Sequence, residues 1–452
     1  MKTFTIYSLG CKVNQYDGQL LREHFLAAGF VERTGLGRDD AATLVGDDAE
    51  DVFVLNTCTV TAEADKECAR ILRKIKRVRP NTKIVVTGCA VSAKDQELLR
   101  SGEPDLFVSN ADKDKFLDLY AAMMGQDAPA QVARPSHISG FQGHCRAFVK
   151  IQDGCNEFCT FCKIPYVRGR NRSRSLKDVR SEAAALAESG YQEIVLTGVH
   201  AGNYGLEFPS GGKSATGLAE LVGAVHDVEG IQRIRFSSIE PMNLNGDLIA
   251  RLSHFPKVCP HFHLPMQSGD DQVLRSMRRR YTVARYKDII GDLREHFTDM
   301  EITTDIIVGF PGETQGQFEN TFHVVENLDF LKVHVFPYSV RAGTLAAGFA
   351  DRVSDPVIKE RAVALMGLAD KVSLARRAGY VGRIVNILVE GKEDKQGLHA
   401  GFTPNYLKVF LPRAQALVNQ TVDVRVVSGD GEGLYAEPLL VESTNSHLPK
   451  GY

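Results

Sequence analysis

Short apolar runs alternate with helical patterns through the first 130 residues. Runs at 4–9, 52–55, 84–86 and 106–108 read as strands, and 17–28 and 62–78 carry helical spacing. Strands alternating with helices predict a parallel sheet, hence an α/β, Rossmann-like domain over 1–130. Residues 125–143 are rich in Gly, Pro, Ala and Gln and read as a linker. Six more apolar runs follow at 147–151, 194–196, 234–236, 262–266, 302–308 and 331–336, each but the last leading into a helical pattern. Six units are too few for a closed eight-unit barrel, so 144–375 predicts a partial, open (β/α)6 TIM-like barrel. Residues 354–378 read as a connecting helix with Pro356 near its first turn. Over 380–443 the helical period disappears. Runs at 385–389, 406–411, 422–427 and 434–440, separated by Gly-rich turns, predict a small antiparallel β-barrel.

Composition narrows the setting. The chain has 452 residues, 43% hydrophobic and 24% charged, with a formal net charge of −2. That describes a globular protein with no global pull toward nucleic acid, so any such contact must use local patches. The start lacks a signal-peptide pattern and no apolar stretch reaches membrane-spanning length. A cytoplasmic, reducing setting is expected, with thiols free for metal and no membrane partner. Residues 37–51 are acidic and read as a solvated loop.

Cysteine spacing carries the chemistry. Cys155, Cys159 and Cys162 form C-x-x-x-C-x-x-C. Three thiolates leave one iron of a four-iron, four-sulfur cluster without a protein ligand, and an open iron can bind a substrate or cofactor. Cys11, Cys58 and Cys89 each follow a predicted strand. In a parallel sheet those ends share one edge, where ligands collect, so three distant cysteines can converge on a second cluster; buried cysteines at strand ends are the competing reading. Cys68, Cys145 and Cys259 match neither set and read as structural. His200, His261 and His263 read as core or barrel-mouth histidines rather than ligands; His261 and His263 share one strand face.

The stretch Cys155-Asn156-Glu157-Phe158-Cys159-Thr160-Phe161-Cys162 resembles the cluster loop of radical S-adenosylmethionine (SAM) enzymes. The residues 8–17 around Cys11, Asn56-Thr57-Cys58-Thr59-Val60 and Thr87-Gly88-Cys89 resemble the methylthiotransferases of that superfamily. Further matches run through 197–200, 235–241, 263–269 and 305–313, and the last region resembles a TRAM domain. The resemblance implies two [4Fe–4S] clusters and SAM. Cys155, Cys159 and Cys162 would hold the cluster that cleaves SAM to a 5′-deoxyadenosyl radical. Cys11, Cys58 and Cys89 would hold the cluster that presents or supplies sulfur, and a second SAM would methylate that sulfur. Gly10-Cys11-Lys12-Val13-Asn14-Gln15 is similar to enzymes acting on N6-threonylcarbamoyladenosine (t6A) at position 37 of tRNA; relatives acting on isopentenyladenosine or a ribosomal protein are the alternatives. Ala90-Val91-Ser92 after Cys89 and the length of 37–51 depart from the family pattern. A non-catalytic iron–sulfur RNA-binding protein is the reading from another class.

Phe161 lies between two cluster ligands, Gly198, Ser237, Glu240 and Gln267 fall at predicted carboxyl strand ends, the catalytic face of such barrels, and Asp305 lies within an apolar run; with Gly309 they are the expected SAM contacts. Arg168, Arg170, Arg172 and Arg174 follow the cluster loop and suit RNA phosphates, as do the basic groups at 66–77 and 278–280. The expected partners are a tRNA anticodon stem-loop, SAM and an electron donor such as flavodoxin or ferredoxin.

Overall fold

The computed structural model describes residues 2–33, 51–59, 62–93, 104–126, 135–208 and 217–439. The acidic 37–51 stretch, apart from Asp51, and residues 127–134 of the expected linker lie outside them.

The first region is a five-stranded parallel sheet. Its strands are β1 (Thr3–Ser8), β2 (Val31–Glu32), β3 (Val52–Thr57), β4 (Lys83–Gly88) and β5 (Leu106–Val108), in the order β2-β1-β3-β4-β5. That is the flavodoxin-like winding, whose switch point falls between β1 and β3. The period of two divides the side chains cleanly. Phe4, Ile6, Val52 and Val54 pack under α1 (Lys12–Ala27) and α4 (Phe116–Met123). Tyr7, Phe53, Leu55 and Val86 pack on the face of α2 (Ala62–Val78). A sheet covered on both faces reads as unbroken apolar runs, which is why these strands stand out in the sequence. The short α3 (Cys89–Ser92) follows β4 directly.

Helix α1 begins at Lys12, five residues before the periodic pattern suggests. No side chain caps it. Its first turn is held by tertiary contacts instead: Asn14 Nδ2 donates to the carbonyls of Leu9 (2.7 Å) and Thr57 (3.1 Å).

The central strands are β6 (Arg146–Asp153), β8 (Glu193–Gly198), β9 (Arg233–Phe236), β10 (His261–His263), β11 (Glu301–Val308) and β12 (Lys332–Pro337). The antiparallel β7 (Arg172–Ser173) pairs with β6 at the edge. Helices α5 (Ile164–Arg168), α6 (Leu176–Glu188), α7 (Leu218–His226), α8 (Gly246–Ser253), α9 (Asp271–Ser276), α10 (Val283–His296) and α11 (Gln315–Asn327) lie between them. The ladder divides into β7-β6-β8-β9 and β10-β11-β12. Pro260 has no N–H to continue it, and the two halves join through Ile234 N–H to Lys257 O (2.7 Å) and Cys259 N–H to Ile234 O (2.8 Å). One large apolar core holds the barrel wall and its helices.

Helix α12 (Asp355–Ala378) leads to β13 (Ile384–Glu393), β14 (Leu398–Phe402), β15 (Lys408–Pro412), β16 (Thr421–Gly429) and β17 (Leu434–Pro438), which close in the order β13-β14-β15-β17-β16. The expected barrel forms, with one difference: β15 and β17 pair in parallel, the other pairs antiparallel. This barrel sits under the amino ends of the central strands. Arg146 pairs with Glu390 (2.7 Å), Arg233 donates to Phe402 O (2.9 Å), and Arg235 donates to Pro404 O (2.8 Å). Glu193, fully buried, binds Arg235 at 2.7 Å. Burial pushes its carboxyl up, but Arg235, Arg146 and Arg233 outweigh burial and hold it below the ordinary glutamate value. No helix among the described residues is long and apolar enough to cross a membrane.

Candidate functional site: two cysteine triads

Cys155, Cys159 and Cys162 occupy the loop from β6 to α5, at the carboxyl end of the barrel. The loop is pinned by Cys155 N–H to Gly169 O (3.0 Å) and Thr160 N–H to Met277 O (3.1 Å). Donors converge on its sulfurs. The N–H of Glu157 points at Cys155 Sγ and that of Ile164 at Cys162 Sγ, both at 3.4 Å. Arg279 Nη1 lies 3.5 Å from Cys159 Sγ. Burial pushes the thiol of Cys155 up to about 11 and that of Cys162 up to about 12, and neighbouring thiolates add to both shifts. A bound iron–sulfur cluster reverses that penalty, because coordination favours the thiolate. Three half-buried thiols with N–H donors aimed at sulfur fit a cluster.

Cys11 immediately precedes α1 after β1, Cys58 follows β3 and Cys89 opens α3 after β4. The order β1-β3-β4 sets these carboxyl ends side by side, spanning the switch point. The packing is tight. Gly10 has φ +89°, and a Cβ built there would stand 2.5 Å from Cys58 Sγ. Gly10→Ala is therefore expected to displace Cys58. The measurement is iron content, which should fall by roughly half from about eight per chain, with SAM cleavage retained.

Arg168, the last residue of α5, ties together the segments that carry the two triads. Its Nε lies 3.3 Å from Cys89 Sγ, and its other nitrogens bond Asn14 (3.2 Å), Asp17 (3.2 Å) and Asp153 (3.1 Å). Its side chain is 1% exposed. Asp17 also binds Lys113 (3.1 Å) and Lys150 (2.5 Å). Burial pushes the Asp17 carboxyl up, but Lys113, Lys150 and Arg168 outweigh burial and take it well below the ordinary range. A carboxyl lowered on folding adds stability above its unfolded pKa, about 3.9, and that stability is lost as pH falls further. Asp17→Asn leaves the buried Arg168 and the half-buried Lys113 and Lys150 short of a partner. It is expected to cost about 3–5 kcal/mol of unfolding free energy at pH 7. Denaturant unfolding measures the loss, which should shrink on acidification below about pH 4.

Known proteins resemble the chain over nearly its whole length. Residues 149–325 match the radical SAM superfamily and 3–109 match the uncharacterized protein family UPF0004. A threonylcarbamoyladenosine tRNA methylthiotransferase (MtaB) of Bacillus subtilis is 34% identical over 94% of this chain and 94% of that protein. The chain belongs to the radical SAM tRNA methylthiotransferase family. A tRNA-2-methylthio-N(6)-dimethylallyladenosine synthase of Acetivibrio thermocellus is 33% identical over 94% of this chain and 88% of its own. Among solved structures, the radical SAM methyltransferase TsrM of Kitasatospora setae superposes with a TM-score of 0.54 at 15% identity, covering 74% of this chain and 73% of that one; this likeness concerns the fold alone. Membership brings SAM and [4Fe–4S] clusters as cofactors.

The structure of this methylthiotransferase places the other expected residues unevenly. Glu240 binds Arg279, the same guanidinium that reaches Cys159. Phe161 packs edge-on against Phe310. Gln267, at φ +66°, holds a left-handed backbone that is uncommon outside glycine, and its N–H donates to Asp305 O (2.8 Å). Gly198 ends β8 with the Gln152 side chain and Ala201 backbone where a Cβ would stand. Gly309 turns the chain against Ile358 and donates its N–H to Glu313 (2.7 Å). Ser237 and Asp305 face a cavity inside the barrel.

The arginine run divides. Arg168 and Arg174 do not face solvent as the RNA-contact expectation required. Arg168 is committed to the junction, and Arg174 to Glu182 and the Tyr16 hydroxyl (3.0 Å), because each meets a buried carboxylate. Arg170 and Arg172 are exposed. Likewise Arg279, read as part of a surface block, is buried against Cys159 and Glu240. Arg341 carries no signal in the sequence; it crosses from the barrel to bond the Thr59 hydroxyl (2.7 Å) and carbonyl (2.9 Å) beside Cys58. His334 carries none either. Its ring nitrogen, one from His263 and a carboxylate oxygen of Asp305 lie within 4.8 Å of one another. An apolar run hides such a residue, and only strand alignment reveals the grouping.

Proposed function

We propose that the chain converts t6A beside the tRNA anticodon into its 2-methylthio derivative. The observation that carries the reading is the pair of cysteine triads joined through Arg168. When bound, the two [4Fe–4S] clusters and SAM supply the one-electron chemistry, the sulfur and the methyl group that no side chain here provides. The C2–H bond of adenine is not acidic, so no general base in the site could do that work.

The chain's own residues have separable tasks. Cys155, Cys159 and Cys162 hold one cluster; Cys11, Cys58 and Cys89 hold the other. Arg279 sets positive charge against Cys159, and Arg168 sets it against Cys89 while fixing the distance between 1–130 and 144–375. Phe161, Gln267 and Glu240 flank the first triad and are taken to bound the SAM site. Arg170 and Arg172, exposed beside the loop, are the arginines of the run left for RNA phosphates. The closed barrel of β13 to β17 adds a second RNA surface, and a flavodoxin- or ferredoxin-class donor delivers electrons. Similarity to the MtaB protein supports the t6A substrate; similarity to the dimethylallyladenosine synthase, at 33%, makes isopentenyladenosine the rival.

The test is mass spectrometry of tRNA nucleosides from cells with and without the gene. Loss of the 2-methylthio derivative of t6A is expected. An unchanged pool of it, or loss of the isopentenyl counterpart alone, overturns the substrate assignment.

A further inference from the structure

Inside the partial barrel lies a cavity of about 260 Å³. Pockets that take a whole small molecule run to about 300–1,000 Å³, so this one suits a side arm rather than a nucleoside. Its wall includes Lys12, Ser237, His261, His263, Asp305 and Tyr406. Lys12 belongs to no barrel strand. It is the first residue of α1, next to Cys11, and its Nζ lies 5.9 Å from the Phe148 ring of β6. Helix α1 therefore feeds one ammonium group into the barrel from the domain that carries the second cysteine triad.

Charge in the cavity is one-sided. Lys12, Arg146 and Arg235 line it, against the single carboxylate of Asp305. Arg146 is neutralised by Glu390 and Arg235 by Glu193, whereas Lys12 makes no ion pair among the described residues. Asp305 is already bonded to His263 Nε2 (3.1 Å). Two buried polar atoms there lack partners: the Oγ of Ser237 and the Nδ1 of His261, a residue only 3% exposed. Buried polar atoms without partners point to an absent polar ligand. The field agrees with the inventory. Burial pushes the Tyr406 hydroxyl up, but Arg146, Lys12 and Arg235 outweigh burial and lower it. Although His263, Asp305 and His334 could hold a cation by spacing alone, the adjacent ammonium opposes one.

We propose that this cavity receives the threonylcarbamoyl arm of the substrate, with Lys12 pairing its carboxylate and Asp305 and His263 binding its hydroxyl. The inference rests on the t6A reading above. On the adenine ring C2 and C6 flank N1, so a group on N6 lies beside the carbon to be modified. The residue following a sulfur-presenting cysteine is well placed to meet that group. A neutral isopentenyl arm would leave the ammonium without a partner, and that penalty makes the pocket selective.

The test uses cluster-loaded protein and anticodon stem-loops bearing t6A, the t6A methyl ester or unmodified adenosine. Wild-type protein is expected to bind the t6A stem-loop roughly tenfold or more tighter than the ester, as a charge-assisted contact implies. Lys12→Met should abolish that ratio, and Lys12→Arg should keep most of it. Iron content and KM for SAM are measured on each variant. No discrimination by wild type between acid and ester overturns the proposal, even if t6A is methylthiolated. Equal weakening of all three stem-loops by Lys12→Met makes the lysine a general RNA contact, and a change confined to KM for SAM assigns it to the SAM carboxylate; either result also overturns it. Failure of wild type to modify t6A at all removes the underlying substrate reading instead.

Discussion

Cys159→Ala is expected to abolish 5′-deoxyadenosine formation from SAM. Cys159 is the middle ligand of a loop whose sulfurs already attract two backbone N–H groups and Arg279. Removing one of three thiolates leaves two protein ligands for a four-iron cluster. It also leaves Arg279 with Glu240, Tyr281 and the Pro265 carbonyl as partners. The loop itself should persist, because Thr160 N–H to Met277 O and Cys155 N–H to Gly169 O do not involve the lost sulfur. Iron analysis on anaerobically purified protein should fall from about eight to about four per chain. Chromatography of the SAM products should show 5′-deoxyadenosine at background. Cleavage at the wild-type rate would exclude this triad as the SAM-cleaving site.

Cys58→Ala should give the complementary result: SAM cleavage retained and methylthio product lost. Cys58 is 4% exposed and lies in the first region, with Gly10 and Arg341 closing around its segment. Cys58 follows β3, whereas the 154–163 loop follows β6. The junction between triads passes through Cys89 and Arg168 instead, so one cluster can be lost while the other stays in place. The variant should again hold about four irons. Full methylthiolation by Cys58→Ala would remove the sulfur-supplying role of the second triad.

Much of the architecture was legible because it is local. The N-terminal strands are covered on both faces and therefore form continuous apolar runs, and α12 announces itself by Pro356 in its first turn. Cysteine spacing was legible too, since three ligands within eight residues need no tertiary information to be seen together. Other features depend on what packs against what. The early start of α1 is set by Asn14 reaching across to Thr57. The break between β9 and β10 had a visible cause in Pro260, but the bridging by Ile234 did not. The parallel pairing of β15 with β17 follows from closing a barrel and leaves no trace in either strand's pattern.

The sequence by itself determined the order of strands and helices, the ligand-spaced cysteines and the presence of basic residues beside them. Periodicity and spacing are properties of neighbours along the chain. Which charges work inside the protein depends on long-range packing. Arg168 meets Cys89 across 79 residues and Asp17 across 151, so its role is set by burial against partners that no local pattern contains. The same holds for Lys12, a surface-like residue in sequence that packing delivers to the inside of a barrel. The segments that carry the two triads, legible separately, are joined because a single buried guanidinium must satisfy its donors on both sides of the junction.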